Sequence, residues 1–344
     1  MEECERRTRK WDGDGQQVME GGDGASYPRW YLTIWFHDEC IFYAHDHHVL
    51  CWVHSSETSK PYAKGEGQSL MIANFISADY GWLSSADGNE SVHVKLKPGK
   101  NHHGYFSNDE LLMQVEKAAH LVHKLYPNDD HVFIFDNAHS HSKHAEDALS
   151  AHYLSKGTSK PTDGKPIGVH IPMGDACFAD GHSQPLYFPP GHPTHPGLFK
   201  GMVCTGFKCQ KNSNGEYGPW CCQCILFNEP DFANVPSLLS TLCTKNNIPA
   251  IFLPNFSPEL NPIEQCWGYA KQIYCEFPPS SAINDVIKNA QKALASVPLE
   301  CIQKLWNRSL HYEDSWTSHH YHSHRALPPE ATKEMISELI EHTR

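Results

Sequence analysis

Three acidic residues, far apart in a chain of 344, carry the chemistry that can be read from this sequence. Asp38 closes an apolar, β-rich run over residues 31–38 (YLTIWFHD), and Asp136 closes a second, over residues 132–135, in the stretch HVFIFDNAHSH. A carboxylate just beyond the C-terminal end of a buried strand is where open α/β sheets commonly place a functional group. Glu264 stands in a different setting, IFLPNFSPELNPIEQCWGYAKQIY. There a short apolar strand end is followed by a breaker-rich loop, then by a helix start with Asn261 as N-cap and Pro262 at the first helical position. Hard divalent cations take carboxylate oxygens, and a pair of such ions can clamp the attacking and leaving oxygens of a phosphodiester. Two strand-end aspartates and one helix glutamate suit that chemistry. Each acid also has a plainer reading. Glu264 follows Asn261 at the spacing of a capping box, and Asp136-Asn137 makes a turn that caps the helix after it.

The three acids act together only if a sheet brings them level. The pattern predicts strands over residues 31–38 and 40–43, a returning strand over 49–54, and a third over 69–76, with a turn at 64–68 between the last two. This order matches the antiparallel start of a mixed sheet. Glu39, Asp46 and Asp79 read as solvated or turn residues. Apolar positions at helical spacing predict a helix over residues 108–125, and further helices over 142–154, 236–245, 281–295, 299–310 and 330–342. His139 and His141, close behind Asp136, read equally as phosphate contacts or as hydrogen-bonding members of the loop. Trp306 reads as a core residue, and the histidines of residues 311–324 as a solvated tail.

A hydrophobic fraction of 40% suffices for a sizeable core, and no run approaches the ~18 apolar residues of a membrane span. The 13 cysteines, odd in number and spread along the chain, argue against a disulfide framework and for a reducing setting. The net charge of -12 counts against strong stand-alone affinity for DNA, because duplex-binding modules are more often basic. It leaves a nuclease open, since bound cations bring their own positive charge.

Read together, HDE at Asp38, FDNAHSH at Asp136 and LPNFSPELNPIEQCW at Glu264 resemble the DDE motifs of mariner-like transposases and related endonucleases. The stretches KGEGQSLMIANFISADYGWL, LYFP and PGLFKGM are similar to a fungal branch of that superfamily with a long Cys-bearing insertion. The resemblance covers roughly residues 30–325. It implies an α/β fold of the RNase H-like type, a mixed central sheet flanked by helices. It also implies a DDE catalytic domain that cleaves DNA and transfers strands with two Mg²⁺ or Mn²⁺ ions. Asp38, Asp136 and Glu264 would hold the ions. Asn137 would steady Asp136, and His141, Trp267 and Lys271 would lie against the DNA. DNA is the implied partner, a homodimer is a candidate assembly, no membrane is involved, and the setting is the nucleus.

The domain expectation runs as follows: a disordered lead over 1–28, a catalytic domain over 29–156 and 245–312, an insertion over 157–244, and a His-rich stretch with a C-terminal helix over 313–344. The helix-turn-helix units of complete family members have no room ahead of the catalytic region, which points to a truncated or decayed element. Inside the insertion, CTGFKCQKNSNGEYGPWCCQC sets thiols across a turn. Cys204, Cys209, Cys222 and Cys224 could hold a structural Zn²⁺, or stay reduced in a packed loop. The alternative to a transposase is a domesticated or decayed protein that only binds nucleic acid, or a zinc-stabilised interaction protein.

Overall fold

The computed structural model describes residues 7–12, 17–18, 31–46, 65–97, 106–150, 173–177, 181–201, 229–255 and 257–320, the side chains of 311–320 and of Val18 excepted. The expected strand over 49–54, the four candidate zinc cysteines and the helix over 330–342 lie outside the described residues.

The central strand, β1 (Tyr31–Tyr43), carries apolar side chains of both parities, so it is built to be covered on both faces. Trp35 packs on one side, and Phe36, Cys40 and Phe42 on the other. The next described strand, β2 (Ser69–Ser77), pairs with it antiparallel, Phe36 against Ile76 through Tyr43 against Ser69. Two short strands, β3 (Gly81–Trp82) and β4 (Val94–Leu96), pair with the outer edge of β2. Helix α1 (Asn108–Leu125) is closed at its start by a capping box between Ser107 and Glu110, and returns the chain to β5 (Asp129–Phe135), parallel to β1. Helix α2 (Leu238–Lys245) leads to β6 (Ala250–Phe252), parallel to β5. Three helices follow: α3 (Pro262–Glu276), α4 (Ile283–Ala295) and α5 (Leu299–His320).

The sheet order is β6-β5-β1-β2-β3, with β4 also on β2. Strands β1, β5 and β6 run parallel, and β2 opposes them. An antiparallel start on a central first strand, followed by two parallel strands added on its other side, is the RNase H-like arrangement. Helices α3 to α5 cover the face presented by Phe36, Phe42 and Ile134. Helices α1 and α2 cover the face of Trp35, Phe133 and Phe135. Each fully buried aromatic or aliphatic side chain in these layers contributes about 1.5–3 kcal/mol.

The chain divides into two compact units, one of residues 1–142 with 239–344, the other of residues 143–238. The second overlaps the stretch expected as an insertion. Among its described residues it has a small core of Ala176, Leu186, Phe199 and Phe232.

Three local expectations fail. First, β1 does not end at Asp38. It continues to Tyr43, because β2 offers hydrogen-bonding partners all the way along. Second, residues 142–150 form turns rather than the start of a helix. Their carbonyls are used elsewhere: Lys143 accepts from the Leu238 N–H at 2.8 Å, and Asp147 from the Gly174 N–H at 2.9 Å. Third, part of the lead is ordered. Residues Lys10–Trp11 pair with Gln17–Val18. Arg9 meets Asp129 at 3.2 Å and Asp79 at 3.5 Å, and lies over the Tyr31 ring at 4.2 Å. Asp79, expected in solvent, is thereby drawn inside.

His93, half-buried before β4, gives a pH test. Burial, with the charges of Lys95 and Lys117, pushes its imidazole down to about 4. The folded protein thus keeps it neutral where an unfolded chain, titrating near 6.5, takes up a proton. Its contribution to stability is full above about pH 6.5 and is lost as pH falls toward 4. His93→Gln should flatten this acid limb in urea melts taken between pH 7 and 4. An unchanged limb would place the loss elsewhere.

Candidate functional site

Strand parity puts two of the three acids together. Phe36 pairs with Ile134, and both face the α3 side. Two residues further on, Asp38 comes level with Asp136, and both continue the parity of that face. β5 ends at Phe135, so Asp136 sits just past the strand terminus, as its sequence context suggested.

The third acid arrives on α3. From β6 the chain leaves through the Leu253 N–H, bonded to the Phe135 carbonyl at 2.8 Å, passes one 3₁₀ turn (Pro258–Leu260) and enters the helix at Pro262. The capping-box reading of Glu264 is not realised. The Asn261 side chain caps no helical N–H, and the Asn261 N–H bonds the Pro258 carbonyl. The Glu264 carboxyl comes instead within electrostatic reach of Asp38 and Asp136.

Electrostatics record the crowding. Burial, then the charges of Glu264 and Glu39, push the Asp38 carboxyl well above the usual carboxylate range. Glu264 is also raised, by burial and by the charge of Asp136, against the pull of its acidic neighbour Asp38 and of Lys271. Two acids whose charges act on each other lose their protons as a pair rather than singly. Asp38 is 6% exposed, and its Oδ2 has no hydrogen-bond partner among the described residues. An acceptor-only set of oxygens with one buried and unsatisfied fits a hard divalent cation.

Asp136 is held differently from expectation. Its Oδ1 accepts from the Ala138 N–H at 3.2 Å and pairs with His141 Nδ1, which also lies 3.0 Å from the Asp136 carbonyl. Asn137 is exposed and makes neither contact. His141 is itself fully buried, so it reaches no substrate. Burial opposes its charge, but the pairing with Asp136 and the Glu39 carboxylate beside it prevail and push it up to about 10. Despite burial, the His141 imidazolium between them holds Asp136 and Glu39 below their ordinary values. Glu39, expected in solvent, keeps only 17% of its side chain exposed and stands 3.7 Å from His141 Nε2.

Trp267 is likewise a core residue rather than a DNA contact. It is 2% exposed and lies against Trp82 at 5.0 Å between ring centres. The helix turn that brings Glu264 to the sheet must bury the residue three positions on. Trp267→Phe should cost about 1–2 kcal/mol, short of the 3–5 of a truncation to Ala, and leave DNA affinity unchanged. A weakened affinity with unchanged melting would restore the contact reading. Lys271, partly exposed on the same helix, stays near the acids, its charge acting on Glu264 and Cys40.

Sequence reasoning passed over His37, Glu39 and Gln114. The signal was present as period-2 alternation. His37 and Glu39 flank Asp38 on β1 and therefore face the opposite side of the sheet, toward α1. There the His37 ring rests on Phe75 at 4.7 Å and Phe135 at 5.5 Å.

No protein-family model matches the chain, and no curated protein matches it in sequence. Among solved structures, the chain is similar to the Mos1 mariner paired end complex with Mn. The two are 11% identical with a TM-score of 0.44, over 82% of this chain and 55% of that one. It is also similar to the corresponding complex with Mg, at 12% identity and a TM-score of 0.44, and to the Mos1 Strand Transfer Complex, at 11% and 0.43. The chain thus spans about 55% of the length of the paired-end chains it matches. At such TM-scores the likeness carries no argument about the site, and the RNase H-like assignment rests on the strand order described above.

Proposed function

We propose that this chain is the catalytic domain of a mariner-type DDE transposase or endonuclease, acting on DNA phosphodiesters with Mg²⁺ or Mn²⁺. The observations that support this reading are the level placement of Asp38 and Asp136 on the α3 face of the sheet, the arrival of Glu264 at that face on α3, and a buried Asp38 Oδ2 without a hydrogen-bond partner among the described residues. Asp38 and Asp136 would hold one cation between them, and Glu264 with Asp38 a second. When bound, the ions would neutralise charge on the attacked phosphate and ready a water for attack. The protein's own part is to hold Asp38 and Asp136 level on one face and to bring Glu264 to that face on α3. The pairing of Asp136 Oδ1 with His141 leaves the other oxygen for a cation. Lys271 offers its charge to a phosphate. No Ser or Cys nucleophile is required. The nuclear setting, a second copy of the chain as partner and a zinc at Cys204, Cys209, Cys222 and Cys224 belong to the same proposal.

The test is to incubate the full chain with duplex oligonucleotides and Mn²⁺ or Mg²⁺, alongside calorimetric titration of the cation. Metal-dependent nicking and strand joining, with saturable heat, are expected. Failure to bind either ion at millimolar concentration would overturn the reading. The net charge of -12 favours a second reading, a protein that binds nucleic acid weakly without cutting it. Both readings predict affinity that falls steeply with salt, because phosphate contacts dominate it; only the first predicts cleavage.

A further inference from the structure

We propose a second cation site of different chemistry, on the opposite side of β1 from the three acids, formed by His37 Nδ1, the Glu39 carboxylate and His141 Nε2 and suited to a borderline ion such as Zn²⁺. One ligand atom from each residue lies within 4.8 Å of both others. Ligands of a tetrahedral zinc with bonds of about 2.0–2.1 Å stand about 3.4 Å apart, so small side-chain rotations close the set around an ion.

The tautomers are fixed from outside. The Gln114 amide donates to the Ala73 carbonyl at 2.9 Å and to the Val92 carbonyl at 3.0 Å. Its oxygen is therefore what faces His37 Nε2, at 3.0 Å. An oxygen there makes His37 Nε2 the protonated nitrogen and leaves a lone pair on Nδ1. His141 Nδ1 faces two oxygens of Asp136 and keeps its proton there, so Nε2 is the nitrogen an ion would take, displacing the second proton of the imidazolium as metal binding does. Both residues are fully buried, and His37 Nδ1 and His141 Nε2 are without a hydrogen-bond partner among the described residues. Two buried ring nitrogens without hydrogen-bond partners among the described residues, in one cluster with a carboxylate, are what a metal site looks like before the ion arrives.

The outer shell agrees. Metal-ligating histidines give their second N–H to a carboxylate or an amide oxygen, and here His141 uses Asp136 and His37 uses Gln114. Two imidazoles with one carboxylate favour Zn²⁺ and its transition-metal neighbours over Mg²⁺. The rings of Phe75 and Phe135 pack on His37 and keep the surroundings dry. The ion would tie β1 to the loop behind β5 and so hold Asp136 in place. The site stands on its own residues and does not require that DNA be cut.

The experiment uses the full chain carrying Cys204→Ser, Cys209→Ser, Cys222→Ser and Cys224→Ser, so that thiols do not compete. It is stripped of metal and then titrated with ZnCl₂ while the ¹⁵N resonances of its histidines are followed. One equivalent should shift His37 Nδ1 and His141 Nε2 together, and Asp38→Asn should leave that response intact. Glu39→Gln and His37→Gln should each weaken zinc binding at least tenfold. Histidine resonances of the protein carrying the four serines that ignore stoichiometric zinc would overturn the proposal whatever the further variants do. So would zinc affinity that survives both substitutions in folded protein. Neither result bears on cleavage, which is read separately.

Discussion

Asp38→Asn is expected to raise the melting midpoint of the metal-free protein while removing divalent-cation-dependent cleavage. The two effects share a cause. Asp38 is almost fully buried, with Glu264 and Glu39 close by, and its carboxyl is pushed well above the usual range. A carboxyl whose folded pKa exceeds its unfolded value favours the folded state at low pH. It turns into a penalty as pH rises from about 4 through the folded pKa. The amide keeps the shape and sheds the penalty. The gap between variant and parent should therefore be small near pH 4 and widen toward neutrality. A rise of roughly 2–4 °C corresponds to about 1 kcal/mol in a domain of 150–250 residues. Added Mg²⁺ should stabilise the parent and not the variant, closing or reversing the gap. Cleavage should fall by about a thousandfold or more, since a cation supplies several kcal/mol to the transition state and each 1.36 kcal/mol is a factor of ten. An Asp38→Asn protein that melts lower than the parent at pH 7 without metal would mean that the acids do not strain the fold. One that still cuts would remove Asp38 from the site.

How far the sequence foretold this arrangement depends on how local the cause was. The runs at 132–135 and 251–253 are apolar on both parities and bounded by breakers, and they became the parallel strands β5 and β6 beside β1. Helix 108–125 was legible to the residue because its cap, Ser107 with Glu110, and its stripe lie within one segment. The reach of β1 past Asp38 was not legible. HDE looks like a strand end, and only pairing with β2, from a distant part of the chain, carries it on to Tyr43. The turns at 142–150 escaped for the same reason, since the Lys143 carbonyl accepts from Leu238. Among the site residues, the three acids could be picked out by setting. What Trp267, Asn137 and His141 do could not, because burial is a property of what packs against them. His37 and Glu39 were hidden by their neighbour: the eye follows Asp38, and alternation sends the two flanking side chains to the other face.

His141→Ala is expected to destabilise the metal-free protein by about 3–5 kcal/mol, the range seen when one partner of a buried ion pair is removed. His141 is fully buried between two carboxylates, Asp136 on its Nδ1 side and Glu39 at 3.7 Å from Nε2. Without a metal ion it is the only positive charge among the described residues that bonds both. Asp136 keeps close to half its side chain exposed and can be rescued by water, whereas Glu39, at 17%, cannot. The greater part of the loss therefore lies with Glu39, left charged and unpaired beside the neutral His37. Removing that charge as well should recover much of the stability. Glu39→Gln with His141→Ala should be less destabilised than the sum of the two single changes, by an interaction energy of about 1–3 kcal/mol. The pH dependence has a defined sign. An imidazole raised to about 10 from an unfolded value near 6.5 contributes fully below pH 6.5 and loses its contribution as pH rises toward 10. The parent's stability should thus fall across that interval, and His141→Ala should show little of the fall. Urea melts of the four proteins at pH 6 and pH 9 measure all of this. A histidine that only touched DNA would behave otherwise: its removal would weaken binding, leave the melts at both pH values unchanged and show no coupling to Glu39.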